Sequence, residues 1–291
     1  MEIHWYPGHM AKAKRQIAEK LKLISVAVIA VDARAPLSTL SPDLTAQLSG
    51  KSCIILLNKS DLADPEQTKR WTAFYKRQYG NALSFSATQD KPAKLLAAIR
   101  EAAAPIVQRY AAKGARKTVR VLIAGIPNVG KSAIINRLIG QKSAKEGDRP
   151  GVTRGLQWVR LSETLELLDS PGLLWPKIES PDVAERIAAL GSLRSEVIDE
   201  VALAEKLIEM LAEAAPGTIA ARYGVEEGPD AHRVFADICR RRGFLRKQGE
   251  IDDQRGAQVL LDEFRGGKLG RITLERCDGA PADGTSEGCG D

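Results

Sequence analysis

Two glycines, Gly125 and Gly130, run directly into Lys131 and Ser132, an arrangement that can hold a chain of phosphates. Without a Cβ, the glycines let successive backbone N–H groups turn toward one anion. Lys131 can reach β- and γ-phosphates, and Ser132 can offer its hydroxyl to Mg²⁺. Asn128, Val129 and Ala133 complete the candidate loop. An apolar run at 119–124 precedes it and a helical pattern at 133–139 follows, the strand, loop and helix order that phosphate binding requires. A helix starting there adds its positive end to the site. A chance Gly, Lys and Ser turn is the alternative, and the flanking elements weigh against it.

A phosphate loop leaves the base open, and Asn58, Lys59, Ser60 and Asp61 narrow it. The Asp61 carboxylate can accept from guanine N1–H and its exocyclic amine, a donor pair adenine lacks. Lys59 can lay its stem over the base, and Asn58 can tie this loop to the phosphate loop. Ser86 and Ala87 offer a backbone N–H for guanine O6. Alone, such a turn is unremarkable, but it ends one apolar run and Ser86 and Ala87 end the next. Thr153 fits a Mg²⁺ ligand that senses the γ-phosphate. Asp169, followed by Ser170, Pro171 and Gly172, fits a carboxylate holding Mg²⁺ through water, with the Gly172 N–H facing the γ-phosphate. The set predicts GTP hydrolysis, with Lys131, Thr153 and Gly172 acting on the γ-phosphate, rather than an ATPase or kinase.

These residues need a scaffold that brings strand ends together. Apolar, β-branched runs at 25–31, 52–57, 82–85, 119–124, 155–161 and 165–168 read as strands. Helices are expected from Asp64 and Pro65 to about Tyr79, from Lys91 toward Tyr110 with a bend at Pro105, and over 133–139. Functional residues at strand C-terminal ends predict an α/β fold with a doubly wound, mostly parallel sheet. Beyond Trp175 the helical patterns 181–190, 197–215, 230–242 and 252–265 predict a second domain. The expected division is 1–176 for nucleotide binding (a basic helix at 1–22, a linker at 109–118), 177–276 for the helical domain, and a frayed tail at 277–291.

The motif order is unusual, because the base-recognition residues precede the phosphate loop. In this the chain resembles the circularly permuted GTPases. Trp5, Tyr6, Pro7, Gly8, His9 and Met10, then Asp32, Ala33 and Arg34, and the ending Phe264 through Leu274 are similar to the bacterial ribosome biogenesis GTPase A (YlqF-type) family. The resemblance runs to about Glu275. It implies a GTP/GDP-binding, Mg²⁺-dependent cytoplasmic enzyme that binds 23S rRNA and the immature large ribosomal subunit at a late assembly step, a monomer off the ribosome. It also matches Asn128 to the asparagine of K⁺-stimulated GTPases. Leu173 and Leu174 stand where Ras-type enzymes place a water-orienting glutamine. The resemblance points instead to His9, whose imidazole can do that chemistry; a structural or RNA-contacting histidine is the equal alternative.

Composition sets outer limits. The net charge of +6 suits a polyanionic partner. Two clusters lack carboxylates in sequence: Arg109, Lys113, Arg116, Lys117 and Arg120, and Arg240, Arg241, Arg242, Arg246 and Lys247. Both are candidates for RNA phosphates, with solvated surface as the plain alternative. The run 26–31 is too short to span a bilayer, the start lacks a signal-peptide pattern, and four scattered cysteines read as reduced thiols; no membrane association is expected. A competing function is a GTPase of an RNA-modifying or other protein complex, its basic surfaces serving as protein contacts.

Overall fold

The computed structural model describes residues 18–140, 157–170, 178, 180–193 and 198–277. The expectations for His9, Thr153, Gly172, the helix before residue 18 and the tail after 277 lie outside these residues.

Strand β1 (Val26–Asp32) is buried along its whole length, as a β-branched run covered on both faces must be. After it come two short helices, α1 (Pro36–Thr39) and α2 (Pro42–Gln47), then β2 (Ser52–Asn58). Helix α3 (Pro65–Tyr79) begins where Asp64 accepts from the Gln67 N–H at 2.7 Å, with proline in the first turn. Strand β3 (Ala82–Ser84) leads to α4 (Pro92–Ala111), which runs through Pro105 without ending. Then come β4 (Val119–Ala124), α5 (Lys131–Ile139), β5 (Gln157–Ser162) and β6 (Leu165–Asp169). The six strands form one sheet in the order β3-β2-β1-β4-β6-β5, parallel except for β5, which is antiparallel to β6. This is the α/β fold expected.

Register does the positioning. Asp32 of β1 pairs with Asn58 of β2, Leu57 with Ser84 of β3, and Ile123 of β4 with Asp169 of β6. Every strand that carries a motif therefore ends at one edge, where ligands bind in open α/β sheets.

The helical part contains α6 (Pro181–Ala189), α7 (Glu200–Ala214), α8 (Thr218–Tyr223), α9 (Ala231–Arg242) and α10 (Asp253–Arg265). Side chains of Ser180, Asp199, Asp230 and Asp252 cap four of them. Leu207 and Leu211 of α7 are buried, as are Phe235 of α9 and Leu261 of α10.

The chain then returns to the sheet. The Ile272 N–H donates to Leu62 O, the Leu274 N–H to Arg34 O at 2.7 Å, and Trp71 Nε1 to Glu275 O at 2.9 Å. The Glu275 carboxylate accepts from the N–H groups of Leu37 and Ser38 and from the Ser38 hydroxyl, capping α1. Burial nevertheless pushes the Glu275 carboxyl above its ordinary range. Residues 271–275, assigned from sequence to the helical domain, and Cys277, assigned to the tail, are thus hydrogen-bonded to the part that carries the sheet.

Candidate nucleotide site

The loop between β4 and α5 has the shape its residue types predicted. Gly130 has φ of 96°, and a Cβ there would collide with Asn58 Nδ2; at Gly125 it would collide with Ala30 O. Two non-glycine residues also have positive φ, Lys59 at 59° and Asn128 at 62°. Each costs on the order of 1 kcal/mol, and both belong to loops expected to touch nucleotide.

Asn58 joins the base loop to the phosphate loop. Its Nδ2 donates to Val129 O at 2.8 Å and its Oδ1 accepts from the Ala87 N–H at 3.1 Å. The first contact is the tie expected from sequence. The second engages one of the two N–H groups offered to guanine O6, and the other, of Ser86, donates to Asp90 Oδ2 at 3.0 Å, so O6 has to compete for either. The Ser60 N–H reaches Phe85 O, and the Thr88 hydroxyl lies 3.4 Å from Asp61 Oδ2. Asp61, Ser86 and Ala87 are therefore neighbours in space, as guanine recognition requires.

Lys131 is buried, its Nζ donating to Ile126 O at 2.8 Å. Burial lowers its pKa to about 8, Asp169 opposes the shift, and Lys59 adds to it. Bound phosphates would hold Lys131 protonated, so nucleotide should bind with proton uptake between pH 8 and Lys131's ordinary range. Calorimetry at pH 8.5 in buffers of different ionisation enthalpy is expected to register that uptake, and at pH 6.5 none from this group. Lys131→Arg should abolish it, separating Lys131 from the guanine N1 proton. Uptake unchanged in the variant would refute the assignment.

Asp169 is buried at the end of β6, Ser170 Oγ donates to Ile123 O at 2.7 Å, and Ser132 starts α5. A carboxylate and a hydroxyl are the hard oxygen donors that Mg²⁺ takes.

Sequence reasoning gave no role to Asp32 and Arg34, and the structure makes them a hub. Arg34 grips Asp32 with two parallel bonds, Nε to Oδ1 at 3.0 Å and Nη2 to Oδ2 at 2.9 Å. Lys59 Nζ lies 2.9 Å from the same Oδ2 and donates to Asn128 O at 2.6 Å. Burial alone would raise the Asp32 pKa, but Arg34 and Lys59 hold it far below the usual carboxylate range. Arg34 Nη1 also donates to Phe264 O and Arg265 O at the end of α10. Arg265 in turn donates to Ala188 O and Ala189 O at the end of α6. Asn128 Nδ2 closes the ring on Gly191 O. A carboxylate ending an otherwise apolar buried strand was the available signal, since such a charge requires a partner. Arg271, which donates to Ser60 O and Ala63 O at 3.1 Å each, braces the base loop from the returning chain.

The two basic clusters fare differently. Arg242 binds buried Glu263 at 3.2 Å, Arg240 pairs with Asp237 at 2.7 Å, and Arg246 with Asp252 at 3.5 Å. Glu263 comes from α10, whereas Asp237 and Asp252 flank the cluster in sequence, so three of its five cations face a carboxylate.

Comparison with known proteins agrees with the geometry. The family described as 50S ribosome-binding GTPase matches residues 120–220. Ribosome biogenesis GTPase A of Bacillus cereus is 41% identical over 278 residues, covering 94% of each chain. The Thermotoga maritima protein of that name is 36% identical over 274 residues, again covering 94% of each. The crystal structure of GNP-bound YlqF from T. maritima superposes with a TM-score of 0.68 at 33% identity, covering 92% of this chain and 99% of that one. Its GDP-bound form gives 0.67. With β2 and β3, which lead to Asn58 and Ser86, preceding the phosphate loop in the chain yet joined through β1 to the strand that carries it, this protein belongs to the ribosome biogenesis GTPase A (YlqF) family of circularly permuted P-loop GTPases.

Proposed function

We propose that this GTPase acts in ribosome biogenesis by binding 23S rRNA on the immature large subunit and hydrolysing GTP at a late step of its maturation. The observation that carries this reading is the ring joining Lys59 and Asn128 to the ends of α6 and α10. Through it, nucleotide contacts bear on the helical domain, as a factor that docks in one nucleotide state and leaves in the other requires.

The site residues take their roles within that reading. Asp61 selects guanine, while Asn58 and Lys59 fix the base loop and Ser86 and Ala87 border the base. Val129, Gly130, Lys131 and Ala133 surround the phosphates. Ser132 and Asp169, with Thr153, would hold Mg²⁺, which would supply charge neutralisation at the phosphates. Gly172 would donate its N–H to the γ-phosphate. His9 would orient the attacking water, and the Asn128 amide oxygen would take K⁺. The protein works in the cytoplasm as a monomer when off the particle.

Co-sedimentation with large-subunit precursors in GTP-analogue and GDP states tests this. Retention with the analogue and release with GDP is the expected result; indifference to nucleotide and particle would favour a protein-complex GTPase. In the same particles, His9→Ala should lose stimulated hydrolysis and keep GTP affinity, and Na⁺ should not replace K⁺. Normal turnover of the bound variant would make His9 a docking residue, and equal rates in both salts would remove the K⁺ site.

A further inference from the structure

The end of the sheet opposite the nucleotide is a second charged site. A depression of about 410 Å³ opens there between the starts of β1 and β2 and the last turns of α4. Lys22, Lys51, Arg109 and Lys117 line it, brought together from four separate stretches of chain, and none of its lining residues is acidic. Among the described residues, no carboxylate pairs with any of the four, in contrast to Arg240, Arg242 and Arg246. Among the described residues, Arg120 is the one member of the linker cluster that faces an acid, Glu166 at 2.9 Å. Lys117 Nζ sits 4.9 Å from the centre of the Tyr110 ring, and Lys51 Nζ is 3.5 Å from Ile24 O. Both side chains are therefore partly ordered before any ligand arrives, which lowers the entropy they lose on binding. Lys113 and Arg116, from the same linker, are exposed.

We infer that this depression is a seat for the phosphodiester backbone of folded RNA, and that it, rather than the arginine cluster of α9, supplies most of the electrostatic attachment to the particle. This rests on the ribosomal reading above and deepens it. Four cations without a counter-charge repel one another and are relieved by a polyanion. Carboxylates face Arg240, Arg242 and Arg246 near α9, whereas among the described residues none faces the four cations of this depression. The two ends of β1, six steps apart, are about 20 Å from each other at ~3.3 Å per residue, so a phosphate bound here leaves the GTP site open.

The test compares wild type with the triple variant Lys51→Glu, Arg109→Glu, Lys117→Glu. The probes are purified large-subunit precursors and a fluorescent 20-base-pair RNA duplex, titrated at several KCl concentrations. GDP affinity serves as the control for folding and should be unchanged. The variant should bind both probes at least tenfold more weakly, with a log Kd against log[KCl] slope reduced by about two to three units, one per lost phosphate contact. If wild type binds precursors and the variant binds them equally with the same slope, this seat is refuted and the ribosomal reading stands. If wild type binds no precursor at all, the ribosomal reading itself fails. If wild type binds vesicles containing 30% phosphatidylserine and not the duplex, the seat is for lipid headgroups and the inference is overturned. A variant that loses GDP affinity has misfolded; Lys51→Ala and Arg109→Ala singly, each expected to cut the slope by about one unit, then decide.

Discussion

Asp61→Asn should lower GTP and GDP affinity by about two to four orders of magnitude, because guanine's N1–H and amine would then face a donor. Xanthosine diphosphate, which presents an oxygen in place of the amine, should bind the variant better than GDP does. The placement of Asp61 beside Thr88, in a loop tied by Asn58 to Val129, makes this a test of the base alone. The fold should survive, since the Leu62 N–H still bonds Lys59 O and Arg271 still holds the loop carbonyls. Competition titrations with labelled nucleotide read the result. An unchanged GDP affinity would place the base elsewhere.

Arg34→Met should be the most destabilising single change outside the apolar core. Among the described residues, it leaves buried Asp32 with Lys59 as its one cationic partner, and it removes donors from the end of α10. Breaking a buried pair of this kind costs about 3–5 kcal/mol. Urea unfolding monitored at Trp71 reads the loss. Asp32→Asn in the same background should recover part of it, because the uncompensated charge is gone. The pH dependence has a definite sign. The folded pKa of Asp32 is depressed, so its contribution is complete above the ordinary aspartate range and fades as pH falls below it. Wild type should therefore lose stability below about pH 4, and Asp32→Asn should flatten that fall. If Arg34→Met unfolds at the wild-type urea midpoint, the hub does not stabilise the fold.

The nucleotide motifs were legible in sequence because their chemistry is local. The phosphate loop, the base loop and the strands before them lie within short windows, and their register at one sheet edge follows from equal strand ends. Helix α3 was also legible, since Asp64 and Pro65 mark its start. Helices α1, α2 and α8 were not, being four to six residues long and too short to show periodicity. One partner of the α9 arginines was hidden for a different reason. Arg242 and Glu263 lie 21 positions apart, so a scan for local carboxylates misses their pairing. The Asp32 to Arg34 hub spans still more: Arg34 reaches Phe264 and Arg265, and no window joins those residues before the chain has folded.

The return of residues 271–277 across the base loop carries a consequence for the order of synthesis. Asn58 through Asp61 leave the ribosome early, yet Arg271, which holds Ser60 O and Ala63 O, and Thr273, which receives the Asp64 N–H at 3.1 Å, are among the last described residues to be made. The sheet can assemble while translation continues, but its guanine loop gains these braces only once this stretch has cleared the exit tunnel. Nascent chains stalled with residue 260 outside the tunnel should accordingly retain labelled GDP less well than chains stalled with residue 277 outside it. Equal retention would show that the loop holds its shape unaided. A GTPase of ribosome biogenesis would thus acquire full nucleotide affinity only after the braces of its base loop have emerged from the ribosome that makes it.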